Sequence, residues 1–274
     1  MFPLVVYRMY HDRAVLITGA SSGIGAELAK QAAADGADVV LTARREQRLE
    51  DLAETLEKRH DVMTIVIPKD LSDPAAPTEL FQEVQSKGIR IHTLVNNAGI
   101  SAYGRFDKIG LDEELDRVQI NVTAATHLAK LFVQPMIDRG DGAILNVSSL
   151  SAYYPLPMGA VYGGTKAYLL SFSRALAREL GDEGVTVTVL CPGIVETEIL
   201  EKHGVDQSGM SEGIVNDPES VAKAGWKGLK AGKRTVEPAL STKLFAQLPR
   251  ILPRRTATAI AENSIENGVS YLPL

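Results

Sequence analysis

The strongest constraint on this chain is the character of its apolar runs and the order in which they recur. Segments 13–18 (RAVLIT), 38–42 (DVVLT), 62–67 (VMTIVI), 91–96 (IHTLVN), 143–147 (AILNV) and 185–190 (VTVTVL) are continuous apolar stretches, not strict alternations. A strand reads this way when both faces of its sheet are covered, as in a parallel sheet. Between them, 24–35, 46–59, 78–86, 112–136 and 161–180 carry helical spacing. Asp217-Pro218 then opens another helix, with Asp as N-cap and Pro at the first helical position. Residues 234–237 complete a seventh strand. Alternating β and α with short joints predicts an α/β fold: a doubly wound parallel sheet of about seven strands, helices on both faces, and right-handed crossovers.

No Pro/Gly/Ser linker divides the 274 residues and no repeat is present, so residues 1–274 read as one domain. Residues 204–216 form the one long glycine-punctuated stretch, and 194–216 reads as a flap over a site. Residues 238–274 read as a C-terminal extension. With 29 basic and 34 acidic side chains the net charge is −5, which argues against a general nucleic-acid binder. The single cysteine, Cys191, cannot close an intramolecular disulfide and favours a reducing compartment. Five scattered histidines offer no pair at metal-ligand spacing, so no metal is expected. The apolar run at the N-terminus is too short for a span or a secretion signal. A cytoplasmic protein is the expectation.

After the first strand comes Thr18-Gly19-Ala20-Ser21-Ser22-Gly23-Ile24-Gly25, running straight into a helix. Gly19 permits a tight turn, Gly23 a close backbone approach, and Gly25 close packing of helix on sheet. The exposed N–H groups at the helix start suit a pyrophosphate. A glycine triplet alone is weak evidence, and an ordinary glycine-rich loop is the bland alternative. Placement on strand, turn and helix at the first crossover favours dinucleotide binding and a Rossmann-type sheet. The spacing resembles the signature of the short-chain dehydrogenase/reductase family. That family's Asn-Asn-Ala-Gly is matched by Asn96-Asn97-Ala98-Gly99 and its acidic strand-end residue by Asp70, followed by Leu71. Its helical Asn is matched by Asn121, its Ser and Tyr-x-x-x-Lys by Ser149, Tyr162 and Lys166, and its Pro-Gly by Pro192-Gly193, with Thr197 following. The motifs stand in order over roughly residues 12 to 200.

The resemblance implies a catalytic set of Asn121, Ser149, Tyr162 and Lys166. Tyr162 and Lys166 are four apart, so both lie on one helix face. A phenol has a pKa of about 10. An ammonium about 4 Å away at an effective dielectric of 20 contributes roughly 4 kcal/mol, or about three pKa units. Lys166 is therefore expected to bring Tyr162 towards neutrality, where proton transfer is most useful. Taken alone, a Tyr-x-x-x-Lys is most often a pair of surface neighbours. Ser149 is expected to hold the substrate carbonyl oxygen, although a strand-end serine also caps turns. By resemblance, Lys166 also binds ribose hydroxyls and Asn121 supports a proton relay; a helix-kink role for Asn121 is compatible with that. The resemblance further places Gly19, Ser21, Ser22, Gly23, Ile24, Gly25, Asp70, Leu71, Asn97, Ala98 and Gly99 on the cofactor. Asn97 and Gly99 would contact its adenosine half, and Pro192, Gly193, Val195 and Thr197 would line the nicotinamide pocket.

Cofactor choice turns on the end of the second strand, where an acidic residue would select NAD. Ala43 stands there, followed by Arg44 and Arg45. Arginine presents a planar fork suited to phosphate, so NADP(H) is expected, with Arg44 carrying the inference. The expected activity is NADPH-dependent reduction of a ketone or aldehyde, with Tyr162 as proton donor. Alternatives are an alcohol dehydrogenase working oxidatively and a non-catalytic NADP-binding scaffold. Tyr103, Phe106, Tyr153, Tyr154, Leu156 and Met158 suggest an apolar or aromatic substrate. A homodimer or homotetramer is expected by analogy. Residues 241–255 interleave apolar and basic side chains and are expected to break at Pro249 and Pro253. They would pack on the substrate-side rim or a subunit interface, or rest on an anionic membrane surface.

Overall fold

The computed structural model describes residues 13–195 and 215–251. The order is β1 (Ala14–Thr18), α1 (Gly23–Ala34), β2 (Val39–Thr42), α2 (Glu46–Arg59), β3 (Thr64–Val66), α3 (Ala76–Ser86), β4 (Ile91–Asn96), α4 (Leu111–Val118), a π-helical turn (Gln119–Ala124), α5 (Ala125–Arg139), β5 (Gly142–Val147), a 3-10 turn (Leu150–Tyr153) and α6 (Ala160–Glu179). A second 3-10 turn (Gly181–Glu183) leads to β6 (Val185–Leu190), β7 (Ile194–Val195), β8 (Val215–Asn216), α7 (Pro218–Lys230), β9 (Thr235–Val236) and α8 (Leu240–Ile251). Seven strands form one parallel sheet in the order β3-β2-β1-β4-β5-β6-β9. This is the doubly wound sheet expected of the strand runs.

Each run serves two cores at once. On β1, Val15 and Ile17 pack on the face covered by α1, α2 and α7, with Leu28, Leu49 and Trp226. Ala14 and Leu16 pack on the opposite face with Leu80, Leu128 and Phe132. Burying such a side chain contributes roughly 1.5–3 kcal/mol, so a polar residue at either parity is penalised. That is why the runs do not alternate. At the sheet's edge the constraint relaxes: β3 is half-buried and spans Thr64–Val66 only, shorter than the 62–67 expectation.

Three local features depart from the sequence reading. The single helix expected over 112–136 is divided by the π turn, because side-chain periodicity does not report the hydrogen-bond register that changes there. Pro249 lies within α8 instead of ending it. A proline near a helix terminus removes one backbone bond, and packing of the buried Thr242 and Ala246 holds the preceding turn. The two ends of segment 194–216 are joined by parallel pairing of β7 with β8, Ile194 opposite Val215 and Val195 opposite Asn216. Residues 196–214, including Thr197, lie outside the described residues, as do residues 252–274 with Pro253 and the basic pair Arg254 and Arg255. Among the described residues no helix is long and apolar enough to cross a membrane.

Candidate active site

The sheet order reverses direction at β1, whose neighbours β2 and β4 lead to opposite halves, and the crevice at that point is where open α/β sheets bind ligands. The glycine turn follows β1 there, and Asn97-Ala98-Gly99 follows β4 beside it. Gly19 adopts φ +66°, and a Cβ on it would sit 2.8 Å from Ala98 Cα. A Cβ on Gly25 would stand 2.3 Å from the Gly19 carbonyl oxygen. The turn is thus pressed against both the β4 loop and its own helix, an arrangement open to glycine alone. Thr18 locks it from below: its Oγ1 donates to the Val95 carbonyl and accepts from the backbone N–H groups of Asn97 and Ala98. The Asn97 amide donates to the Thr18 and Gly19 carbonyls at 2.9 and 3.2 Å. Its nitrogen therefore shapes the turn.

At α1, Ser22 is the extended N-cap residue but its side chain makes no capping bond. Its hydroxyl instead accepts from Arg45 Nη2 at 2.8 Å, while Ser21 Oγ accepts from Arg45 Nε and Nη2 at 3.2 and 3.0 Å. Arg44, the arginine favoured from sequence, extends the other way, its Nη1 3.9 Å from Asp70 Oδ2 on an exposed surface. Asp70 also accepts from Ser72, and Leu71 is buried beside it. Both arginines thus flank the loop, and Arg45 is the one laid across it. The doublet was visible in the sequence, but adjacent residues point to opposite sides, so only the fold distinguishes them.

Tyr162 and Lys166 project from α6 as the spacing requires. Lys166 is buried, its Nζ donating to the Val147 carbonyl at 2.9 Å and lying 5.8 Å from the centre of the Tyr162 ring. Ser149, at the end of β5, accepts from the Ser151 backbone N–H at 3.1 Å, and neighbouring Ser148 donates to the Lys166 carbonyl. Asn121 sits on the π turn, fully buried. It accepts from Ile100 N–H and donates to the Ile100 carbonyl and Thr165 Oγ1. Asn121 thus occupies the helix irregularity and is bonded to α6, the helix that carries Tyr162 and Lys166. Thr165, unremarked in the sequence, is what anchors it. A Cβ on Gly99 would lie 3.3 Å from both Asn121 Oδ1 and Lys166 Nζ, so the absence of a side chain leaves space directly beside the ammonium.

The electrostatics differ from the simple pair expected. Burial pushes the Tyr162 phenol up, against the pull of the Ser149 and Ser151 hydroxyls. Burial also brings Lys166 down to about 8, because the ammonium faces a carbonyl and no carboxylate. Lys166 over the ring does not lower the phenol in this geometry.

Aromatic walls surround Tyr162. Tyr103 meets it edge-to-face with centroids 6.0 Å apart, and burial raises both Tyr103 and Tyr154, the latter to about 12. The two wall segments are laced together where Gly104 N–H donates to the Met158 carbonyl at 2.7 Å. Met158 itself takes φ 60°, a strained value for a residue with a side chain. Across the site, Pro192 accepts from Leu150 N–H, Val195 is buried in β7, and a Cβ on Gly193 would meet the Thr242 methyl at 2.9 Å. The C-terminal helix α8 therefore rests on the loop after β6. The segment leading into it is held by Tyr153, whose hydroxyl donates to Glu237 at 2.6 Å while Arg174 lies over its ring.

A glycine turn at a sheet switch point, joined to a Ser-Tyr-Lys cluster, defines a dinucleotide-dependent class of α/β protein. The family model for short chain dehydrogenase matches residues 13–208. An Arabidopsis thaliana protein described as 11-beta-hydroxysteroid dehydrogenase-like 3 is 32% identical, covering 95% of this chain and 81% of its own. Sulfoacetaldehyde reductase 2 of Chromohalobacter salexigens is 36% identical over 74% of this chain and 81% of its own. Among solved structures, a short-chain dehydrogenase from Sphingobium yanoikuyae in complex with NADPH superposes with TM-score 0.78 at 30% identity, covering 96% of both chains. The chain belongs to the short-chain dehydrogenase family of oxidoreductases, whose members use a nicotinamide cofactor.

Proposed function

We propose that this chain is an NADPH-dependent carbonyl reductase acting on an apolar or aromatic ketone or aldehyde. The observation that carries the reading is the convergence of Ser149, Tyr162 and Lys166 beside a glycine turn spanned by Arg45. When bound, a reduced nicotinamide supplies the hydride. Gly19, Ser21, Ser22, Gly23, Ile24 and Gly25 would hold the pyrophosphate, and Arg45 with Arg44 would meet a 2′-phosphate through charge-assisted bonds. Asp70, Leu71, Ala98 and Gly99 would flank the adenosine and ribose, with Pro192, Gly193, Val195 and Thr197 along the nicotinamide. Lys166 would engage the ribose hydroxyls across the gap left at Gly99. Ser149 would donate to the substrate carbonyl, and Tyr162, kept protonated by its burial, would pass its proton to the oxygen as negative charge develops. Asn121 would hold the relay side of Lys166 in place.

The walls formed by Tyr103, Tyr154, Leu156 and Met158 favour a substrate with an apolar or aromatic body. Thr242 against Gly193 supports the rim reading of residues 241–255. The same reading takes the protein as cytoplasmic and homo-oligomeric. Initial rates of NADPH oxidation over a broad carbonyl panel test it. Turnover of at least one class, abolished in Tyr162→Phe, is expected; NADPH binding without any turnover would favour the scaffold alternative.

A further inference from the structure

Tyr162 stands in the first turn of α6, and its own helix gives its ring little support. Helical side chains tilt towards the N-terminus of their helix, over the residues three and four places before them. For Tyr162 those residues are Gly159, which has no side chain, and Met158, which precedes the helix and departs from its path at φ 60°. The space beside Gly159 is filled from elsewhere. A Cβ there would lie 2.8 Å from Leu156 Cδ2 and 3.5 Å from Tyr103 Cδ1. The Tyr103 ring, carried by the loop after β4, meets the Tyr162 ring edge-to-face with the planes 65° apart.

A strained turn accompanies this placement. Gly104, next to Tyr103, donates its N–H to the Met158 carbonyl at 2.7 Å, and Gly159 donates to the Leu156 carbonyl at 3.2 Å. The turn Leu156–Gly159 has proline second and a positive φ third, the pattern of a type II turn, whose third place favours glycine or asparagine. Methionine is strained there, and such strain persists only where the surroundings over-determine it. Here they do: Leu156 packs against Gly159 and Gly163, and the Met158 carbonyl latches the loop that bears Tyr103. We infer that Tyr103 is a positioning residue, its latched ring supplying the neighbour that α6 lacks and fixing the orientation of Tyr162 as proton donor. This rests on the reductase reading of the same site.

The test compares parent, Tyr103→Ala, Tyr103→Phe and Tyr162→Phe on the best carbonyl of the panel. In Tyr103→Ala, kcat is expected to fall at least about tenfold, with KM for NADPH and for the carbonyl within about threefold. Burial holds the Tyr162 phenol up, so admitting water should move the rising limb of alcohol oxidation, which needs the phenolate, to lower pH. Lys166 and Tyr154, the other ionisable side chains near that phenol, are unchanged in the variant. Tyr103→Phe keeps the ring edge and should restore both kcat and the limb. Should Tyr103→Ala fail to bind NADPH, Tyr103→Leu takes its place, keeping apolar bulk without a flat ring. An active parent whose variant keeps kcat within about twofold and an unmoved limb overturns the inference, whatever the change in Tm. A rise confined to the carbonyl KM also overturns it, making Tyr103 a substrate contact. A parent that turns over no carbonyl removes the reductase reading, and this inference with it.

Discussion

Arg45 lies across the first glycine turn, its guanidinium shared between Ser21 and Ser22, while its neighbour Arg44 turns away towards Asp70. Charge-assisted bonds of this kind contribute about 1.5–3 kcal/mol each, equivalent to about 10- to 100-fold in affinity. Arg45→Ala is therefore expected to raise the KM for NADPH at least tenfold with kcat nearly unchanged. Arg44→Ala should have a smaller effect. Ala43→Asp combined with Arg45→Ala should invert the preference to NADH, since one change adds repulsion and the other removes attraction. Steady-state kinetics with both cofactors measure each ratio, and an unchanged ratio in the double variant would place the phosphate elsewhere.

Tyr162→Phe keeps the ring, its edge-to-face contact with Tyr103 and its place under Lys166. Only the hydroxyl is lost. NADPH binding, followed by fluorescence, should persist while carbonyl reduction drops by two orders of magnitude or more. A rate within a few-fold of the parent would remove Tyr162 from its role.

The Lys166 ammonium, brought down to about 8 by burial, sets a pH dependence of activity. Since kcat/KM reports the free enzyme, reduction should be flat below pH 7 and fall through pH 8 as the ammonium deprotonates. Lys166→Arg stays charged, so whatever activity it keeps should lack that break.

The same group affects stability in the opposite sense from a paired lysine. Its folded pKa lies below the unfolded value of 10.5, so the unfolded chain binds more protons between pH 8 and 10.5 and stability rises with pH there. Below pH 8 the penalty is present in full, about 3 kcal/mol for a shift of this size. The lost bond to the Val147 carbonyl offsets about 1 kcal/mol of any gain on removing the charge. Lys166→Met is thus expected to raise Tm at pH 7 by a few degrees, with the advantage shrinking by pH 10. Thermal melts at both pH values check the sign; a variant destabilised at pH 7 would contradict it.

Gly25→Ala places a methyl 2.3 Å from a backbone oxygen that cannot step aside. Overpacking of this sort costs about 1–3 kcal/mol, or roughly 3–10 °C in Tm for a domain of this size. Cofactor binding should fail with it. Gly164→Ala, where nothing lies within 4 Å, is the control and should be neutral or slightly stabilising.

Much of this site could be read from the chain because the reading depended on constraints that act on side chains. Val15 and Leu16 each face a core, so β1 is apolar at both parities, and the glycine turn must follow where it ends. Tyr162 and Lys166 share a face whatever surrounds them. What escaped depended on the backbone. The register change at Gln119–Ala124 leaves no mark in hydropathy, and the pairing of Ile194 with Val215 joins two residues that a long segment separates in sequence. Likewise, the hydrogen bond from Lys166 Nζ to the Val147 carbonyl sets the ammonium in a place that side-chain spacing on one helix cannot reveal.

The π turn has a consequence of another kind. Relative to an α-helix it contains one additional residue, and each residue turns a helix by about 100°. Deleting one residue between Gln119 and Ala124, Asn121 apart, would return the ladder to α register and close the widened turn on which Asn121 sits. Asn121 would then swing away from Ile100 and Thr165 even if its identity were untouched. Over these six positions the chain is constrained in count before it is constrained in kind: exchanges at exposed sites leave the arrangement standing, and a deletion does not.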